Sequence, residues 1–205
     1  RTYESLLALE PPRIDLLLPH GNWDSPPPGW SPDQPRYADW LIDIFDQWFD
    51  CRPPGPGIRF FEEIVHSLLG GLSSTELIGL SPETMIVVET DGSIEQVDAL
   101  KSAYHGAAAT GLHVSTHTFD RALLHDGIVH RQSGKKHLSP ICRGCQLVEV
   151  CGGGYYPHRF DTTNRFINPS VYCLDLQTLI EHIRTRMREG ILESRGSGDG
   201  KPAHS

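Results

Sequence analysis

No stretch of this 205-residue chain is apolar for long enough to span a bilayer, which takes about 20 residues. Basic residues are scarce too. The 18 Lys and Arg stand against 26 Asp and Glu, a formal charge of −8. Phosphate backbones are held by basic surfaces, so this balance argues against a nucleic-acid partner. No charged segment followed by an apolar one opens the chain as a secretory signal would, and residue 1 is Arg rather than Met. The opening "RTYESLLALEPP" reads as the end of a helix already under way, so we expect a piece of a longer protein. There is no internal repeat. No pair of carboxylates and no Ser/His/Asp set stands out as acid–base or nucleophilic machinery.

What is present begins as α/β material. "RIDLLLP" holds a short apolar run, Ile14–Leu18, which suits a strand buried on both faces. The following "HGNWDSPPPGWSPDQP" cannot be regular structure. It is a loop after a strand's C-terminal end, where α/β folds place binding groups, and it carries His20, Asn22 and Trp23. "PRYADWLIDIFDQWFD" predicts an amphipathic helix over 35–50, with Trp40, Leu41, Ile44, Phe45 and Trp48 in the core. "IRFFEEIVHSLLGG" predicts a second over 58–71, closed by glycine. The character then changes at a seam near Leu72–Ser81. "TMIVVETDGSIEQVDAL" reads as a β-hairpin about Asp91-Gly92. A helix from about Phe119 to His125, capped by Thr116 or Thr118, follows. The region after it is loop-rich. A last amphipathic helix is expected over Leu174–Gly190, and the polar, Gly-rich residues 191–205 are expected to be disordered.

"CRGCQLVEVCGGGYYPHRF" carries Cys142, Cys145 and Cys151 in the spacing C-x2-C-x5-C, and "NPSVYCLDL" adds Cys173. Five cysteines in all, four of them in the last third, suit a cytoplasmic metal site better than a secreted disulfide scaffold. Cys51 stands alone beside prolines and reads as incidental. Two residues between Cys142 and Cys145 let both sulfurs face one centre. Four thiolates suit tetrahedral zinc or a [4Fe–4S] cluster with one sulfur per iron, and the spacing leaves both open. Gly152–Gly154 permits close backbone approach and positive φ. His137 and His158 are alternative ligands, although most of the 11 histidines read as surface or core residues.

These residues together resemble a family. C-x2-C-x5-C-G-G-G, then "HRF", then F-x-N-P-S-V-Y-C-x-D-L is similar to the SPASM domain of radical SAM peptide maturases. Upstream, "LLLPHGNWDSPPPG", "IRFFEEIVHSLLGG" and "VVETDGSIEQVDALKSAY" resemble the cyclophane-forming FxsB type. The likeness runs to about Arg188. It implies a fold of α/β plus α+β class. Residues 1–72 would be the last strand and helices of a partial (β/α) barrel. Residues 73–190 would form a small SPASM-type domain with a hairpin and helices. It implies an enzyme that cleaves S-adenosylmethionine at one [4Fe–4S] cluster and cross-links side chains of a ribosomal precursor peptide.

Two departures qualify what the resemblance implies. The family's C-x3-C-x2-C, which binds the catalytic cluster, is absent, so the chain alone is expected to be inactive and to need a preceding radical SAM half. Further cysteines of two-cluster members are also absent: Val97 and Tyr155 stand at two of those positions. One auxiliary cluster is therefore expected, held by Cys142, Cys145, Cys151 and Cys173. The rival reading is a four-cysteine zinc domain that binds a protein or peptide without catalysis.

Overall fold

A computed structural model gives the fold and describes residues 2–82 and 85–196. Helix α1 (Thr2–Leu7) leads to strand β1 (Arg13–Ile14). After the proline-rich loop come α2 (Arg36–Asp50), β2 (Gly57–Ile58) and α3 (Arg59–Leu68). β1 and β2 pair in parallel, Arg13 with Gly57 and Ile14 with Ile58, so α2 is the crossover of a βαβ unit. β1 is shorter than the apolar run that announced it. Leu16 is buried, but Leu17 is 67% exposed. A strand buried on both faces needs a layer on each side. Here β1 has one partner strand among the described residues.

α2 buries Ala38, Leu41, Ile44 and Phe45. Trp40 does not join them: it is 42% exposed, off the stripe those positions define. α3 buries Phe60, Phe61 and Ile64, and Gly70, at φ +89°, ends the chain's helical course. The hairpin forms as expected. β3 (Val87–Val88) runs antiparallel to β4 (Ser93–Glu95), with Gly92 at φ +91° in the turn. A third strand absent from the sequence reading, β5 (Ala109–His113), pairs with the other edge of β4.

Short helices follow: α4 (Phe119–Leu123), α5 (Asp126–Gln132), α6 (Pro140–Arg143) and α7 (Val148–Cys151). Thr118 caps α4 by accepting from the Arg121 N–H. Helix α8 (Cys173–Gly196) is longer than expected. One helical glycine costs only about 1 kcal/mol, so Gly190 does not stop it. Residues 191–196 of the expected tail are thus helical, and 197–205 lie outside the described residues. No helix among the described residues is long and apolar enough to cross a membrane.

One buried cluster crosses the seam. Phe45, Phe61 and Ile64 from the first part meet Val150, Leu179 and Ile180 from the second, and Ile78 within the seam is 1% exposed. α8 lies against α2 and α3. The Asp175 carboxylate at its start accepts the Tyr37 and Ala38 N–H groups at 2.9 and 3.0 Å. It thereby caps α2, whose own N-cap, Pro35, has no side-chain acceptor.

Candidate metal centre

Cys142 lies in α6, Cys145 in the turn after it, Cys151 at the end of α7 and Cys173 at the start of α8. Ser139 caps α6 by accepting the Cys142 N–H at 3.2 Å, and Pro140 opens that helix. The turn after it places Cys145, whose N–H donates to the Cys142 carbonyl at 3.1 Å. Cys151 is the last residue of α7. Cys173 is the first of α8, at the positive end of the dipole of a 24-residue helix, which favours a thiolate.

These segments converge. Cys142 is 7% exposed, and the other three are partly buried. Burial pushes the Cys151 thiol up to about 12, with the neighbouring Cys173 adding to it. The Gly153 N–H and the Arg159 cation oppose the rise, and Cys142 adds to it. Burial likewise raises Cys173, with Cys142 and Cys145 as its charged neighbours. Cys173 thus lies within electrostatic reach of the other three thiols. All are free of disulfides, as is the exposed Cys51, whose thiol donates to Pro53 at 3.2 Å in a separate loop. No three of the four bring their sulfurs within 4.8 Å of one another.

The loop after Cys151 makes the convergence possible. Gly152, Gly153 and Gly154 have φ of +61°, +83° and +71°. A side chain at Gly152 would overlap the Gly79 carbonyl oxygen, so this backbone lies directly on the seam. A donor already faces sulfur, the Leu147 N–H approaching Cys145 Sγ at 3.4 Å, and the Gly153 N–H lowers the Cys151 pKa against the effect of burial. Such bonds favour thiolate over thiol and belong to metal-thiolate sites. On donor chemistry, then, the residues fit a four-thiolate metal group. Such a group draws the thiols' protons off on binding.

The loop residues after β1 serve differently. Asn22 is 2% exposed; its Oδ1 accepts the Asp24 and Ser25 N–H groups, and its amide donates to Ala103 at 3.3 Å. Trp23 donates its indole N–H to Pro169 at 2.7 Å and packs edge-on against Trp30. Both tie the loop to the second part of the chain. His20 alone lines a cavity of about 380 Å³, with Leu16, Phe60, Tyr155, His158 and Leu176. His158 is 4% exposed, and burial holds its imidazole down at about 4, with His20 and Arg159 adding to the effect. His137 stacks on His130 at 4.0 Å. Arg159 was not singled out from sequence. It lies in "HRF", yet nothing in composition marks an arginine for burial.

A parallel βαβ unit packed on a small cysteine-centred module defines the architecture. It is shared with part of a radical SAM/SPASM enzyme, the anaerobic sulfatase-maturating enzyme anSMEcpe. The structure with bound AdoMet and Kp18Cys peptide superposes with TM-score 0.63 at 19% identity, covering 85% of this chain and 46% of that one. The native structure with bound AdoMet gives TM-score 0.61 at 20% identity, over 76% and 43%. The chain thus spans less than half the length of the structures it matches. No protein-family profile and no curated protein matches it.

Proposed function

We propose that this chain is the auxiliary-cluster portion of a radical SAM enzyme that cross-links side chains of a ribosomal precursor peptide in the cytoplasm. The observation that carries this is the convergence of Cys142, Cys145, Cys151 and Cys173 around a three-glycine loop, in a fold like that of an AdoMet- and peptide-bound enzyme. A [4Fe–4S] cluster is preferred to zinc here on the likeness to SPASM domains, and the positive-φ glycine loop gives such a bulky group room. A cluster spreads its four sulfurs over four irons. When bound, it supplies an electron acceptor for the electron released as a cross-linked ring regains aromaticity.

The chain's own residues then have definite tasks. The four cysteines hold the group, the glycine loop admits it, and Leu138 and Val148 shield Cys142 from water. His20 lines the cavity beside the βαβ unit and faces peptide or cofactor in the larger enzyme; Asn22 and Trp23 hold its loop in place. S-adenosylmethionine cleavage belongs to a C-x3-C-x2-C segment that this chain lacks.

Two measurements test the proposal. The 205-residue chain, reconstituted anaerobically with iron and sulfide, is expected not to cleave S-adenosylmethionine. Cleavage by it would contradict the assignment of catalysis to a missing segment. Joined to an upstream radical SAM segment and co-expressed with a precursor, it should yield peptide lighter by two hydrogens per cross-link, because one new bond between two C–H carbons removes two hydrogens. An unchanged peptide mass despite cofactor cleavage would remove the cross-linking claim.

A further inference from the structure

Arg159 is 9% exposed, and its guanidinium is held by backbone carbonyls rather than by a carboxylate among the described residues. A buried guanidinium without a counter-charge is costly, and here a second cation adds to the cost. Arg131 also lies near the Tyr156 ring that Arg159 covers at 5.5 Å. Burial lowers the Arg159 pKa, while the thiols of Cys151 and Cys142 oppose that shift.

The hydrogen bonds show where the cation acts. Arg159 Nε donates to the Gly154 carbonyl at 3.1 Å, and Nη2 donates to Gly152 at 2.9 Å and also to Gly154. The Gly152 carbonyl and the Gly153 N–H belong to one peptide unit, and that N–H acts on the Cys151 thiol, lowering its pKa against the effect of burial. The guanidinium thus sits on the oxygen of a peptide that begins one residue after Cys151. A cation at that oxygen polarises the peptide and makes its N–H a stronger donor toward the Cys151 sulfur. Positive φ at all three glycines turns these carbonyls toward Arg159, and a side chain at Gly153 would meet its Cζ at 3.2 Å.

We propose that Arg159 is the built-in counter-ion of the four-thiolate centre, acting on Cys151 through the Gly152–Gly153 peptide. Four thiolates around a dication carry a net charge of about −2. An oxidised cubane core leaves the same balance, and each added electron makes it more negative. Arg159 therefore favours both occupancy and reduction. It is a positioning and tuning residue; it need not touch the group. The inference rests on the metal-centre reading above.

The test uses the full chain and two variants. Arg159→Gln removes the charge; Arg159→Lys keeps it while giving up the guanidinium fork. In the reconstituted protein, Arg159→Gln should lower the reduced-to-oxidised ratio of the cluster at fixed poise about tenfold, about 59 mV for one electron. Arg159→Lys should stay within about threefold, as expected if charge rather than the fork sets the potential. A Gln variant with an intact cluster at the wild-type potential overturns the proposal. If the Gln variant does not fold, a tenfold fall in Arg159→Lys overturns it, and a value within threefold supports it. In a second arm, Co²⁺ affinity is measured by chelator competition, reading the thiolate absorption. It should fall about tenfold in Gln and less than threefold in Lys; equal affinities overturn the proposal. A wild-type chain that takes up Co²⁺ but no cluster removes the iron–sulfur reading alone, and the Co²⁺ arm still decides the role of Arg159. A chain that takes up neither overturns both.

Discussion

Cys145 and Cys51 make a controlled pair. Both are reduced, but one lies among three other thiols and the other in an exposed loop beside Pro53. Cys145→Ala should abolish metal uptake and loosen residues 138–175, whose short helices have little core of their own. Cys51→Ala should leave uptake unchanged. Metal analysis together with hydrogen exchange checks both, and retained metal in Cys145→Ala would count against the site. His158 makes a pH prediction. Its imidazole is buried neutral, with a folded value of about 4 against an ordinary 6.5. Stability is therefore full above 6.5 and falls as acid protonates the unfolded chain first, by about 2 kcal/mol between pH 7 and pH 5. Urea midpoints should show this slope in the wild type and not in His158→Phe; equal slopes would sink the claim. At this scale the thiols were legible because sequence spacing limits where sulfurs can point. Arg159 was not, because burial of a charge depends on carbonyls that only the folded glycine loop brings to it. Asn22 and Trp23 were legible as loop residues. Their partners, Ala103 and Pro169, lie far along the chain and could not be read.

Elements with a strong period were readable, and those defined by a neighbour were not. α2, α3 and α8 each carry a continuous apolar stripe. β1 was overextended because an apolar run does not say how many strands flank it. β5 was missed because "ATGLH" has no clean alternation, and its pairing with β4 is what orders it. The capping of α2 by Asp175 is likewise invisible in sequence, since 137 residues separate Asp175 from Ala38. Burial raises the Asp175 pKa in spite of the backbone bonds from Ala38, Tyr37 and Asp175 itself that oppose the shift. Asp175→Ala should cost about 1 to 2 kcal/mol in chemical unfolding, within the range for a lost cap. Asp175→Asn, which keeps an acceptor, should cost clearly less. Equal losses would show that the charge matters more than the hydrogen bonds.

Across the whole molecule, the two parts proposed from sequence, 1–72 and 73–190, share one core, so neither is expected to unfold alone. The backbone contact of Gly152 with Gly79 and the packing of α8 on α2 and α3 join them at the cysteine loop. Losing the metal should therefore lower the stability of the βαβ unit as well as that of the loop. The change of character near Leu72 was visible as a shift in composition. The shared core was not, because it depends on α8 returning from the far end of the chain. The most direct test of the account is anaerobic reconstitution of this chain with iron and sulfide in the presence of competing zinc, followed by metal and sulfide analysis and Mössbauer spectroscopy. The account predicts about four irons and four sulfides per chain in a single cubane signal, lost in Cys145→Ala. One zinc per chain with no sulfide, or a disulfide joining any two of Cys142, Cys145, Cys151 and Cys173, would contradict it.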